Sequence, residues 1–307
     1  MRKEITKRRK LGRFRSEAAR RRFLAAYDAA IEYWPTPPNH HDVATTFGTT
    51  HVLRSGPVAG APIVLLHAIA VSSPAWYADI AALSASHPVY AIDTITDPGR
   101  SSQSAPVRNG EDLAAWLAEV LGALHLDRVH LVGLSYGGWL ALNQAHRSTN
   151  RIASVTSVDP VGALGRPKTA FIVQIVPDSL LAVAKSEKAI HRLLGRLNNG
   201  AIPGQPLLDL SVAGLRTFVG KQPFPKRMSD EALRSITLPT LLLLCECSPV
   251  NDAQRAAQRA RRCISDVEVE VVADSGHMLP IEHPERFTQR VLSFVDGLDT
   301  STTAPQS

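Results

Sequence analysis

An α/β architecture with a mainly parallel central sheet is predicted by three features of this chain. Short apolar runs alternate with helical patterns of about ten residues, the rhythm of successive βαβ units. The central runs, such as Pro62-Ile63-Val64-Leu65-Leu66 and Thr240 to Cys245, lack polar alternation and so must be covered on both faces. With 307 residues, 44% of them hydrophobic, the chain can build one large domain with an insertion, or two modest domains.

The elements follow in order. Ala18, Ala19, Phe23, Ala26, Tyr27, Ala30, Ile31 and Trp34 recur at helical spacing behind Ser16, a natural N-cap, and Pro35, Pro37 and Pro38 end the helix. Phe47 to Leu53 reads as a hairpin strand and Pro62 to Leu66 as a buried strand, followed by a loop from His67 and a helix through Ser84. Val89 to Asp93 is the next strand, and a loop rich in Pro, Gly and Ser runs from it to Asn109. Glu111 to Leu124 is an amphipathic helix, Val129 to Leu134 a strand, and Ile152 to Val158 another strand, ending at Asp159-Pro160. Periodicity weakens between Val161 and Ser235, where prolines separate short helical patches such as Leu180 to Leu197. The rhythm resumes with strand Thr240 to Cys245, helix Asp252 to Arg262, strand Val267 to Val272 and helix Pro284 to Leu298. These boundaries divide the chain into a flexible basic leader (1–22), a core (23–159 and 236–298), an inserted cap (160–235) and a polar tail (299–307).

The net charge of +6 belongs to the leader: Met1 to Arg22 hold eleven Lys or Arg against two Glu, leaving the body mildly acidic. A solvated extension explains such a run, and no aromatic residues interleave it as a single-strand-binding surface requires, so nucleic acid is not the expected partner. No apolar run approaches the ~20 residues of a membrane span, and no apolar segment follows the charged N-terminus as in a signal peptide, which predicts a cytoplasmic protein without membrane insertion. The three cysteines, Cys245, Cys247 and Cys263, lack metal-ligand spacing, and Cys245 and Cys247, near the end of a strand, read as buried small hydrophobes.

The chemistry is concentrated in Gly133-Leu134-Ser135-Tyr136-Gly137-Gly138, which joins a strand directly to a helix. At such a turn the serine takes a strained conformation, the flanking glycines prevent collision, and the helix N-terminus points amides at a developing oxyanion. A serine is a poor nucleophile unless a base takes its proton, so Ser135 requires a late histidine. Asp274-Ser275-Gly276-His277 supplies it, directly after the last strand.

On these residues, together with Trp34-Pro35, Phe47-Gly48-Thr49-Thr50-His51-Val52, Leu65-Leu66-His67, Ser72-Ser73 and Trp76-Tyr77, the chain resembles the α/β-hydrolase superfamily, and more narrowly its small bacterial carboxylesterases. The resemblance spans Ala26 to Leu298 apart from the cap. It implies a mostly parallel eight-stranded sheet with helices on both faces, a helical cap after the sixth strand, and hydrolysis of a small-molecule ester or related acyl compound without cofactor or metal. It also implies an oxyanion hole made by the amides of Tyr136 and Ile69, and a loop-stabilising rather than catalytic His67.

Two positions depart from the family pattern. His67-Ala68 stands where His-Gly is usual, so the oxyanion loop must be differently shaped if that glycine normally takes an angle closed to alanine. Ser248 stands where the triad acid is usual, and a serine cannot compensate an imidazolium. The acid is therefore assigned to Asp159, at the carboxyl end of its strand, with Asp252, Glu246 or a histidine working without an acid as alternatives; a turn into the cap and a helix N-cap are the structural readings of Asp159 and Asp252. Lactone opening, carbon–carbon bond hydrolysis, acyl transfer and non-catalytic ligand binding share the same framework. Dehalogenase and epoxide hydrolase chemistry would place an aspartate at the elbow.

Overall fold

The structure is a computed structural model that describes residues 11–169, 171, 173 and 187–303. The elements in chain order are β1 (Arg13–Phe14), α1 (Glu17–Ile31), β2 (Asn39–Thr45), β3 (Gly48–Ser55), β4 (Ile63–Leu66), a 3₁₀ turn (Ser73–Trp76), α2 (Ile80–Leu83), β5 (Val89–Ile92), β6 (Ser102–Gln103) and α3 (Gly110–Ala123). Then come β7 (Val129–Leu134), α4 (Tyr136–Arg147), β8 (Ile152–Val158), α5 (Glu187–Leu197), α6 (Gln205–Thr217), β9 (Phe218–Val219) and α7 (Asp230–Arg234). The last are β10 (Thr240–Cys245), α8 (Ala253–Cys263), β11 (Val267–Val272), α9 (Leu279–Glu282) and α10 (Pro284–Thr303).

The main sheet runs in the order β11-β10-β8-β7-β4-β5-β3-β2, with β6 paired to β3. From β11 to β5 neighbouring strands are parallel; β3, β2 and β6 add antiparallel pairs. Alternation within the strands feeds two cores. Val64 and Leu66 pack on one face with Leu113, Trp116 and Leu140, and Ile63 and Leu65 on the other with Phe23, Ile80 and Phe287. The central strands need an unbroken apolar run for this reason. At the edge, β11 alternates instead: Glu268 and Glu270 turn outward to Arg290 and Arg286 of α10.

Two boundaries and two strands differ from the sequence reading. The flexible leader assigned to 1–22 gives way by residue 13. Arg13 and Phe14 pair with Val219 and Phe218, the Phe14 ring lies 5.4 Å from Phe23 and 5.1 Å from Phe218, and Ser16 Oγ caps α1 by accepting from Ala19 N. A two-residue strand is held by backbone bonds and one ring, so it leaves no periodicity to read; residues 1–10 lie outside the described residues. The polar tail assigned from 299 is helical to Thr303, because Asp299 meets His130 at the sheet edge. The sheet has nine strands among the described residues rather than eight. The short β6 sits in the Pro- and Gly-rich loop beside Gly48, where a Cβ would lie 2.1 Å from Ser102 O. The edge strand β2 leaves no alternation to read in the sequence, since its residues are mostly exposed or polar. Cys245 is buried as expected and Cys263 is buried too, but Cys247 lies past the end of β10 and is exposed. Among the described residues no helix is long and apolar enough to cross a membrane.

Candidate active site

Two collisions explain the elbow. A Cβ on Gly133 would lie 2.1 Å from Gly137 O, and one on Gly137 would lie 2.0 Å from Leu66 O. Neither neighbour can yield, because both are backbone within the core. Between them Ser135 adopts φ 57° and ψ −110°, a region that L residues rarely occupy. The turn lifts its side chain out of β7 at the carboxyl edge of the sheet.

The other site residues come from separate loops at the same edge. His277 follows β11, and its backbone is drawn against the end of α5 by a bond from its N to Leu197 O at 2.7 Å. Asp159 follows β8 in the left-handed region, with φ 38°. Ser135 Oγ lies 2.7 Å from His277 Nε2, and His277 Nδ1 lies 2.5 Å from Asp159 Oδ2. Because a carboxylate only accepts, Nδ1 carries the imidazole proton and Nε2 is left free to take one from Ser135. All three side chains are buried, and Asp159 is wholly so. This arrangement can move a proton from serine to histidine without solvent.

The rival acids lie elsewhere. Asp252 Oδ1 caps α8 by accepting from Arg255 N at 3.1 Å, and Glu246 Oε2 accepts from Asp274 N at 3.4 Å near the surface. Ser248, which reads in sequence as a missing acid, donates from Oγ to Asp159 Oδ2 at 2.5 Å. Asn251, which no sequence motif marks, donates from Nδ2 to Asp159 Oδ1 at 2.9 Å. An Asn three residues beyond the expected acid position gave no signal, because amides are common in turns.

The loop after β4 is pinned on both sides. His67 donates from Nδ1 to Ala68 O at 2.7 Å and accepts from Thr94 N at Nε2 at 3.0 Å. Burial lowers the pKa of His67, which favours the neutral tautomer these two bonds require. Asp97 Oδ1 accepts from Ala70 N at 3.2 Å. The left-handed residue in this loop is Ala70, at φ 65°, and Ala68 is not among the residues with positive φ. Replacing the usual glycine by Ala68 therefore introduces no such strain. Ile69 lies between the two pinned residues, and Tyr136 opens α4, where an amide has no partner within the helix. Both residues line the cavity described next.

A cavity of about 450 Å³ opens above Ser135 and His277. It is lined by Ile69, Val71, Tyr136 and Met278 of the core segments and by Phe171, Leu193, Leu197, Leu215 and Phe224 of the segment between β8 and β10. Its wall is mostly apolar, with Gln222 and Ser211 among the few polar groups. Of the apolar cap residues whose sequence suggests an apolar acyl or alcohol group, Phe171 lines this cavity, Phe218 packs on Phe14, and Ile172, Ile175 and Leu180 lie outside the described residues. Among the described residues no group of three His, Cys, Asp or Glu side chains is placed to hold a metal ion.

Comparison with known proteins identifies the family. Residues 63–290 match the model of the alpha/beta hydrolase family. Carboxylesterase YbfK of Bacillus subtilis is 31% identical over 90% of this chain and 94% of its own length. The crystal structure of naproxen esterase (carboxylesterase NP) from Bacillus subtilis superposes with a TM-score of 0.82 at 30% identity, covering 89% of this chain and 96% of that one. The crystal structure of carboxylesterase CesB (YbfK) gives a TM-score of 0.82 at 31% identity over 91% of this chain and 99% of that one. With an elbow, a sheet and relatives that agree over most of its length, the chain belongs to the alpha/beta hydrolase family.

Proposed function

We propose that Ser135, His277 and Asp159 form the catalytic triad of this chain. The chain is an ester-cleaving serine hydrolase of the carboxylesterase type. Ser135 Oγ attacks the ester carbonyl as His277 Nε2 takes its proton; His277 then returns that proton to the departing alcohol, leaving an acyl-enzyme that water hydrolyses by the reverse sequence. Asp159 holds His277 in the required tautomer, and the amides of Ile69 and Tyr136 bind the oxyanion. Every step uses the chain's own groups and water. The observation that carries this reading is the continuous hydrogen-bond path from Ser135 through His277 to Asp159 beneath the apolar cavity.

Residues 160–235 act as a cap over the core of 23–159 and 236–298, a reading supported by α5 and α6 residues in the cavity wall. The cavity has the size of sites for drug-sized ligands, and its wall suits an uncharged, apolar acyl or alcohol group, as an aryl-substituted acid of the naproxen kind would supply. Three free cysteines fit a reducing, cytoplasmic location.

The test is hydrolysis of p-nitrophenyl esters combined with fluorophosphonate labelling. We expect labelling at Ser135 and a kcat/KM that rises from acetate to hexanoate. Labelling at another serine would remove Ser135 from the mechanism. Binding of ester without turnover or labelling would instead support a non-catalytic ligand-binding role.

A further inference from the structure

We infer that Ser248 and Asn251 are positioning residues that lock the Asp159 carboxylate in the orientation His277 needs. This inference rests on the triad reading above. It assigns a purpose to the residue that occupies the family's usual acid position.

The argument begins with the cost of the acid. Asp159 is 0% exposed, and an ionised carboxylate at such a site must be fully hydrogen-bonded to persist. Its backbone stands at φ 38° and donates from Asp159 N to Leu243 O of the sheet at 2.8 Å, a bond that does not touch the carboxylate. The side chain must be held by its neighbours. Three groups reach it: His277 and Ser248 at Oδ2, each at 2.5 Å, and Asn251 at Oδ1 at 2.9 Å.

The direction of each bond is dictated by its surroundings. Ser248 Oγ accepts from Val250 N at 3.1 Å, so its lone pair is engaged and its proton is left for Asp159. Asn251 Nδ2 also donates to Pro160 O at 3.2 Å, so both amide hydrogens meet acceptors; the flipped amide would set oxygen against oxygen twice. Ser248 and Asn251 are themselves 0% and 2% exposed, and neither can turn to water for another partner. Every neighbour of the carboxylate is thus a donor, and Asp159 is restricted to accepting. That is the state in which it orients the Nδ1 proton of His277.

The donors are rigidly mounted. Lys168 bridges the segment by donating from Nζ to Ser248 O at 2.7 Å and from its backbone N to Val250 O at 3.0 Å. Ser248 N closes a turn onto Cys245 O at 3.2 Å, fixing the segment to the end of β10. The loop that supplies the acid in the family pattern here supplies two fixed donors to an acid on the neighbouring strand.

The experiment is a double-mutant cycle read by steady-state hydrolysis of p-nitrophenyl butyrate, with the thermal midpoint of each variant recorded. Ser248→Ala should lower kcat about 10- to 100-fold, the loss expected when a buried charged group forfeits a donor, with KM within about twofold. Asn251→Ala should lower kcat less, and Ser248→Thr, which keeps the hydroxyl, should restore most of the activity. In an Asp159→Asn background, Ser248→Ala should lower kcat by no more than about twofold, because its effect is transmitted only through the acid. Equal losses in both backgrounds would overturn the inference, as would full kcat in Ser248→Ala and Asn251→Ala together. Failure of the triad reading is separately visible: Asp159→Asn would then keep its kcat. If instead Asp159→Asn is inactive while Ser248→Ala is unimpaired, the triad stands and the positioning role falls.

Discussion

Strand β7 has a Ser–His–Asp string near each of its ends. At the carboxyl end, Ser135, His277 and Asp159 are linked at 2.7 and 2.5 Å. At the amino end, His130 Nδ1 lies 2.8 Å from Ser154 Oγ, and its Nε2 lies 3.3 Å from Asp299 Oδ1. The residue types agree, but the surroundings do not. Ser154 lies within β8, in register with His130, so the nearby backbone amides are committed to the sheet ladder. Ser135 instead occupies a strained turn before a helix N-terminus, under a cavity. The imidazole is also reversed, with the acid on Nε2 at the amino end and on Nδ1 at the carboxyl end. At the amino end the string fastens α10 to the sheet, helped by His87 Nε2 and Asp296 at 3.0 Å. The comparison shows that a triad of the right residues becomes a candidate site only where the backbone supplies a strained nucleophile, free amides and room for a substrate.

The largest contrast should come from the two serines. Ser135→Ala should reduce p-nitrophenyl ester hydrolysis at least about 10⁴-fold, because the covalent route is lost, whereas Ser154→Ala should leave kcat and KM within about twofold. Comparable losses would erase the distinction between the two strings. The acids should differ next. Asp159→Asn should cut kcat by up to about 10⁴-fold by favouring the wrong imidazole tautomer, while Asp299→Asn and Asp252→Asn should retain it. Retention in Asp159→Asn with loss in Asp252→Asn would move the acid to the loop after β10.

Stability should sharpen the comparison through opposite pH dependences. Near the carboxyl end, burial raises the Asp97 pKa to about 7, against the bond from Ala70 N that lowers it. The folded state then holds a proton that the unfolded chain releases near 3.8, so this contribution is complete below that pH and is lost as pH rises towards 7. Asp97→Asn should raise the melting temperature at pH 8 by several degrees, a gain that shrinks on acidification. At the amino end, burial lowers the His130 pKa below 6.5, with Asp299 opposing and the charges of His87 and Arg128 assisting. Here the unfolded chain binds the proton first, so stability is present above 6.5 and falls as pH drops. His130→Gln should flatten that acid-side loss in a thermal melt. A gain at pH 8 in His130→Gln, or only at pH 5 in Asp97→Asn, would reverse the assigned signs.

The smallest effect concerns the N-terminal segment. Phe14→Ala should lower the melting temperature by a few degrees, since its half-buried ring packs on Phe23 and Phe218, with kcat unchanged. An unchanged melt would return residues 13–14 to the status of a solvated leader.

The sequence by itself determined the parallel sheet and marked Ser135 and His277 as the candidate nucleophile and base, because each is written in local chemistry. Central strands need apolar runs to face two cores, an elbow needs glycines where backbones touch, and a loop directly after the last strand delivers its histidine to the carboxyl edge. The tertiary structure decided the rest. Asp159 and Ser248 are 89 residues apart in the chain yet share a hydrogen bond at 2.5 Å, and only the parallel pairing of β8 with β10 brings their loops together. Ser248 reads in sequence as a vacancy and in the structure as a donor, because a hydroxyl's meaning depends on which acceptor the fold sets before it. Arg13, Phe14 and Asp299 likewise look like leader and tail until β9 and the amino edge of the sheet give them partners. Local pattern records what a residue must avoid within its own strand or helix, and long-range contacts leave no such record in the chain.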